Sequence, residues 1–186
     1  MRLLPEMTIV ELSSNDLAQK SVDFAFENNG PLYIRLDKGP FTDWSEHGTD
    51  FSKGYRILRP LKKLNLVTNG FMTRTVLKVA DGLQAQGIDC GVVDLFRVKP
   101  FPGEFNDEVL RCSNNIVSIE ESCKTGGLGT VLSELIAQGE NHCQLQVIGA
   151  PDKQFIEYGE RAWFHQKYRL DEKGIMDSIQ NFISTR

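Results

Sequence analysis

Short runs of branched aliphatic residues alternate with longer segments whose apolar residues recur every three or four positions. That alternation restricts the chain to a layered α/β fold, because each strand must bury its faces against helices that follow it in sequence. Residues 8–12 and Leu32-Tyr33-Ile34-Arg35-Leu36 read as strands. Between them Ser13, Ser14 and Asn15 offer N-caps for a helix over 16–28, with Leu17, Val22, Phe24, Ala25 and Phe26 as its apolar surface. Strands are expected at 55–59, 63–68, 89–96, 116–120 and 144–148, and helices at 71–86, near 105–112, at 126–138 and at 172–184. The three residues Pro60-Leu61-Lys62 are short enough for a hairpin, which would make 55–59 an antiparallel edge strand. The remaining strand–helix–strand units should be parallel and right-handed. The expected architecture is three-layer α/β/α, with a mixed, mostly parallel sheet of about five strands and one antiparallel edge strand.

One stretch breaks the pattern. Residues 37–53 are polar, contain Gly and Pro and lack periodicity, so they read as a linker, with Phe41 and Trp44 as anchors to a neighbouring surface. The expected division is an arm at 1–41, a linker at 42–53 and a main domain at 54–186. At 186 residues the chain fits one domain, or one domain with an arm.

The charge balance narrows the partners. The net charge is −4, with both signs interspersed and no basic stripe, which argues against nucleic acid. No apolar run approaches the ~20 residues of a membrane span. Pro5 and Glu6 interrupt what would be the apolar core of a signal peptide, so the expected compartment is the cytoplasm. Cys90, Cys112, Cys123 and Cys143 have neither C-x-x-C nor zinc-finger spacing, and read as reduced thiols.

The wording of several segments carries a family resemblance. Leu66-Val67-Thr68-Asn69-Gly70-Phe71-Met72 and Gln86-Gly87-Ile88-Asp89-Cys90-Gly91-Val92-Val93-Asp94-Leu95 come first, then Val98-Lys99-Pro100. Ile119-Glu120-Glu121, Gly126-Gly127-Leu128-Gly129 and Tyr168-Arg169-Leu170-Asp171 follow, with Gly149, Asp152, Phe155 and Gly159 between them. In this order and spacing, residues 52–171 resemble the C-terminal domain shared by transketolases, 1-deoxyxylulose-5-phosphate synthases and 2-oxoacid dehydrogenase beta subunits. Residues 1–41 resemble the closing strands and helix of the pyrimidine-binding domain that precedes it in that family.

The resemblance implies a two-carbon ketol transfer between sugar phosphates, with 1-deoxyxylulose-5-phosphate synthase or a 2-oxoacid dehydrogenase beta subunit as the alternatives, performed by a complete enzyme that holds thiamine diphosphate and Mg²⁺. It implies a homodimer, an N-terminal transketolase subunit as partner, or both. It also implies that the metal–diphosphate motif and the ylide-forming glutamate lie upstream of Met1, and no Gly-Asp-Gly occurs here. Catalytic, cofactor-binding and metal-binding residues are therefore expected to be absent from this chain, which would contribute assembly contacts. A non-catalytic assembly or regulatory module is the alternative of another class.

Few residues stand out. Lys38 matches the family's basic residue after the last strand, which contacts the substrate phosphate; the alternative is a solvated lysine. Arg35 is a second candidate, with a structural ion pair as its alternative. Gly126, Gly127 and Gly129 open a helix and read as a close-packed turn, against anion binding by its free N–H groups. Glu120 and Glu121 stand where a parallel strand ends, the edge at which α/β folds place their sites, with a structural role in the turn as the favoured reading. His47 and His165 lack inferable triad or metal partners. Phe155, Tyr158, Trp163, Phe164 and Tyr168 read as a packing or interface patch.

Overall fold

The computed structural model describes residues 1–38, 50–139 and 142–185. In chain order the elements are β1 (Thr8–Glu11), α1 (Asn15–Glu27), β2 (Leu32–Arg35), a 3₁₀ turn (Phe51–Lys53), β3 (Arg56–Arg59), β4 (Leu64–Thr68), α2 (Met72–Ala85), β5 (Gly91–Asp94) and β6 (Arg97–Lys99). A π-type turn (Asn106–Leu110) follows, then β7 (Asn115–Cys123), α3 (Leu128–Gln138), β8 (Gln144–Ala150), α4 (Arg161–Lys167) and α5 (Glu172–Ser184).

The main sheet has the order β3-β5-β4-β7-β8. All its pairs are parallel except β3 with β5. Side chains alternate across it as the pleat requires. Leu66, Val92 and Val117 join Val76, Val79, Leu83, Ile175 and Ile179 of α2 and α5 on one face. Val67, Val93 and Ile116 join Leu128 and Leu132 of α3, with Phe105 and Val109, on the other. Three layers result, with the parallel strands covered on both sides, as such sheets demand.

β3 is an antiparallel edge strand, but the hairpin is not formed. β5 lies between β3 and β4, and the connector crosses the start of β5, where a Cβ on Gly91 would stand 2.9 Å from both the Leu61 Cα and the Pro60 carbonyl oxygen. Only glycine admits that crossing. Asn65 fixes the connector by accepting from the Lys62 N–H at 2.9 Å and donating to the Lys62 carbonyl at 2.6 Å. β4 is buried along its whole length, and the sheet gives it parallel neighbours on both sides.

A second sheet, β2-β1-β6, ties the chain's start to the rest. β1 pairs in parallel with β2 and antiparallel with β6, a strand within a segment that sequence periodicity leaves unassigned. Val10, Leu12, Leu17, Phe51 and Phe96 form its core. The apolar surface expected of α1 is split: Leu17 is buried, whereas Val22 and Phe26 are 54% and 88% exposed. Phe51 is buried against Phe24 and Phe96. Phe41, Trp44 and His47 lie outside the described residues.

The junction between the two sheets is polar and closed. Arg56, only 4% exposed, donates from Nε to Asp94 at 3.0 Å, from Nη1 to Asp16 at 3.0 Å, and from Nη2 to the hydroxyls of Ser13 and Ser14 at 2.9 and 2.7 Å. Ser14 occupies the N-cap position of α1 without a side-chain capping bond, its hydroxyl being committed to Arg56. Burial pushes the Asp94 carboxyl up, opposed by Arg56 and by the Ser13 and Thr73 hydroxyls.

Candidate functional site at the carboxyl edge of the sheet

β4 has β5 on one side and β7 on the other, so the chain reverses its direction of travel across the sheet at this strand. The crevice beyond the carboxyl ends of β4 and β7 is the switch point where open α/β sheets bind ligands. Two helices begin there: α2 after Thr68-Asn69-Gly70 and α3 after Gly126-Gly127.

Both turns are occupied by the chain's own carboxylates. At the start of α3, Glu120 accepts from the N–H groups of Leu128 and Gly129, each at 2.9 Å, and from the Ser122 hydroxyl at 2.5 Å. These are free donors of a helix N-terminus, the position an external anion would take. The fit is tight: a Cβ on Gly127 would lie 1.9 Å from Glu120 Oε2, and one on Gly129 would lie 2.4 Å from Val147 Cγ1. Gly126, by contrast, has open surroundings and takes φ +79°. At the start of α2, Glu11 reaches over from the end of β1. It accepts from Asn69 Nδ2 at 3.2 Å, and a Cβ on Gly70 would stand 2.5 Å from its Oε1. Arg35 is 3.3 Å away. Burial, reinforced by the charges of Glu120, Glu121 and Asp94, outweighs Arg35 and raises the Glu11 carboxyl from an ordinary 4.5 to about 7.

Beside them lies an ion-pair network centred on Glu121, which contacts Arg161 Nε and His165 Nε2 at 2.8 Å each and Arg35 Nη2 at 3.8 Å. Burial pushes the Glu121 carboxyl up, but the bond from His165 and the charges of Arg161 and Arg35 together hold it below its ordinary value. Arg161 also grips Asp37 with both terminal nitrogens, at 2.6 and 2.8 Å. That bidentate bond is the main reason the Asp37 carboxyl is lowered. Phe71, the residue before α2, carries the guanidinium carbons of Arg161 and Arg74 at 3.9 and 3.8 Å from its ring centre.

Of the residues picked out in the sequence, Arg35, Lys38, Glu120 and Glu121 share this edge. The Arg35 side chain sits between Glu11 and Glu121 and is 41% exposed. Lys38 is exposed, and its backbone N–H donates to Asp37 at 2.8 Å. His165 is buried, 8% exposed, against Glu121 and Phe71. Sequence reasoning missed Glu11, Asp37 and Arg161: α4, which carries Arg161, is too short for a periodic signal. Of the aromatic patch, Phe155, Phe164 and Tyr168 pack on one another, while Tyr158 is fully exposed. The four cysteines are free.

These residues do not form a cradle for thiamine diphosphate or Mg²⁺. The free N–H groups at the start of α3 are taken by Glu120, the Glu11 carboxyl fills the space beside Asn69 and Gly70 at the start of α2, and among the described residues no group of three or more His, Cys, Asp or Glu is placed to hold a metal ion. No described helix is long and apolar enough to cross a membrane.

The family model "Transketolase, C-terminal domain" matches residues 54–175. This chain belongs to the transketolase C-terminal domain family. Among relatives of this transketolase-type chain is 1-deoxy-D-xylulose-5-phosphate synthase 1 of Geobacter metallireducens, 29% identical over 98% of the chain and 30% of the relative. The corresponding synthase of Hahella chejuensis is 29% identical over 100% of the chain and 28% of the relative. The chain therefore spans under a third of these curated relatives. A solved split-gene transketolase, described as an inactive β4 tetramer, superposes with a TM-score of 0.88 at 27% identity, covering 97% of this chain and 59% of that one. A transketolase from Pichia stipitis shares the fold at a TM-score of 0.79 and 17% identity, covering 99% of this chain and 26% of that one.

Proposed function

We propose that this chain is the C-terminal part of a thiamine-diphosphate-dependent transferase of the transketolase type, which acts only in assembly with the part that holds the cofactor and Mg²⁺. The likeness to the split-gene transketolase along 97% of the chain carries this reading, since it extends through β1, α1 and β2 as well as the main domain. In this reading residues 1–41 are the end of a pyrimidine-binding domain, 42–53 a linker and 54–186 the C-terminal domain. The complete enzyme transfers a two-carbon unit between sugar phosphates. This chain contributes contacts to a second copy of itself, to an N-terminal subunit, or to both, and Lys38, helped by Arg35, meets the substrate phosphate. Exposed Leu3, Phe26 and Leu36, at 94%, 88% and 59%, offer apolar surface on the β1–β2 side for those contacts.

A second reading, 1-deoxyxylulose-5-phosphate synthesis, is favoured by the names of the sequence relatives above. The two differ in acceptor and donor, so one reconstitution tests both. The chain is mixed with the cofactor-bearing part, thiamine diphosphate and Mg²⁺, and assayed for ketol transfer and for synthase product. Activity is expected only from the mixture. Turnover by the 186-residue chain alone with added cofactor would refute the proposal.

A further inference from the structure

A cavity of about 830 Å³ opens between the first half of α2, α4 and the start of α5, with Arg161 in its lining. Most of its charges are already spent within the fold. Glu172 pairs with Lys78 at 3.1 Å, and Asp171 caps α5 by accepting from the Gly174 N–H at 3.2 Å. Arg161 is committed to Asp37 and Glu121.

Two cations remain. Arg74 is held with its guanidinium carbon 3.8 Å from the centre of the Phe71 ring, and Lys173 is exposed on the first turn of α5. Arg74 lies near enough to Asp37 for its charge to help lower that carboxyl, but it makes no ion-pair contact there, since Asp37 is gripped by Arg161. Stacking immobilises the guanidinium while leaving its in-plane donors open, which is the arrangement that receives a phosphate or carboxylate with little further ordering. Two cations on one cavity favour a dianion over a monoanion. The lining also includes the exposed Glu160, a carboxylate able to accept from hydroxyls, and Trp163, which is 41% exposed, has Lys167 Nζ 4.7 Å from its ring centre, and is approached by Gly159, where a Cβ would come within 2.6 Å of the indole.

We infer that this cavity is a binding site for a small phosphomonoester that carries hydroxyl groups. Its phosphate pairs with Arg74 and Lys173, its hydroxyls meet Glu160, and its apolar C–H face lies on Trp163. Lys38 is not among the residues lining the cavity, and the inference does not depend on the transferase reading.

Trp163 supplies the assay. Trp44 and Trp163 are the two tryptophans, so Trp44→Phe leaves the cavity residue as the sole emitter. Glucose 6-phosphate is titrated into the full chain at constant ionic strength, with glucose as the control. A saturable emission change is expected with glucose 6-phosphate and none with glucose. Arg74→Gln should weaken the affinity at least ~10-fold, the loss of one charge-assisted contact, whereas Lys38→Ala should leave it within a factor of about two. Phosphorus line broadening of glucose 6-phosphate on the unmodified chain and on Arg74→Gln gives the same comparison without the tryptophan change. A response that is absent, equal for glucose, unaltered by Arg74→Gln, or lost in Lys38→Ala alone overturns the inference.

Discussion

Glu11→Gln tests whether the switch-point crevice holds a carboxyl group at the expense of stability. A carboxyl at about 7 in the fold and 4.5 when released favours the folded state while protonated, so its contribution is complete below pH 4.5 and is lost as the pH rises through 7. Across that interval the penalty on the anion reaches roughly 3 kcal/mol at 1.36 kcal/mol per decade. Glutamine presents the neutral shape at every pH and still accepts from Asn69. The Glu11 side chain is 17% exposed, so solvent screens only part of this. Glu11→Gln should therefore change stability by at most about 1 kcal/mol at pH 5 and stabilise the fold by about 2–3 kcal/mol at pH 8. In a domain of this size that is a rise in Tm of roughly 5–10 °C. Urea unfolding at the two pH values measures it. If the substitution destabilised the protein more at pH 8 than at pH 5, the ion pair with Arg35 would outweigh burial, and the reasoning would fail.

Other substitutions probe the remaining contacts. Arg56→Met leaves Asp94 buried without its partner and should cost about 3–5 kcal/mol in urea unfolding, the range for breaking a buried pair from one side. Gly127→Ala drives a Cβ into Glu120 Oε2 and should cost about 1–3 kcal/mol by overpacking. Gly126→Ala, in open space at φ +79°, should cost only the ~1–2 kcal/mol of a left-handed residue; equal losses in the two would show that the Glu120 contact is immaterial. In the reconstituted enzyme, Lys38→Ala should raise KM for phosphorylated substrate about tenfold without altering the chain's unfolding midpoint, and an unchanged KM would remove Lys38 from the substrate site.

The main sheet was legible because each of its strands is a short apolar run bounded by turn residues, and α2 keeps its three- and four-residue spacing from Met72 to Leu83. The hairpin misled because local spacing says nothing of a strand inserted later, β5, which begins 32 residues after β3 ends at Arg59; the signal was Gly91, whose need for space appears only once Pro60 crosses above it. β6 has three half-buried residues and no alternation long enough to read. The candidate edge was half legible. Glu120 and Glu121 stand at a strand end beside a glycine turn, but Glu11 and Arg161 belong to segments 109 and 40 residues away from Glu120 and Glu121, and their convergence is a property of topology rather than of any local pattern.

That convergence decides what the glycine turns do. An exposed turn before a helix is a place for an external anion, yet in this chain the Glu120 carboxyl takes the free N–H groups at the start of α3, and the Glu11 carboxyl fills the space beside Asn69 and Gly70 at the start of α2. Releasing Glu120 would forfeit two backbone N–H bonds and the Ser122 bond, so a ligand must replace all three before it gains anything. Releasing Glu11 would also disturb β1, and through its pairing with β6 the join between the two sheets. At the α2 turn, the Asn69 bond to Glu11 ties the end of β1 to the five-stranded sheet. An external anion is met more readily by cations that make no ion-pair contact, such as Arg74 beside Phe71.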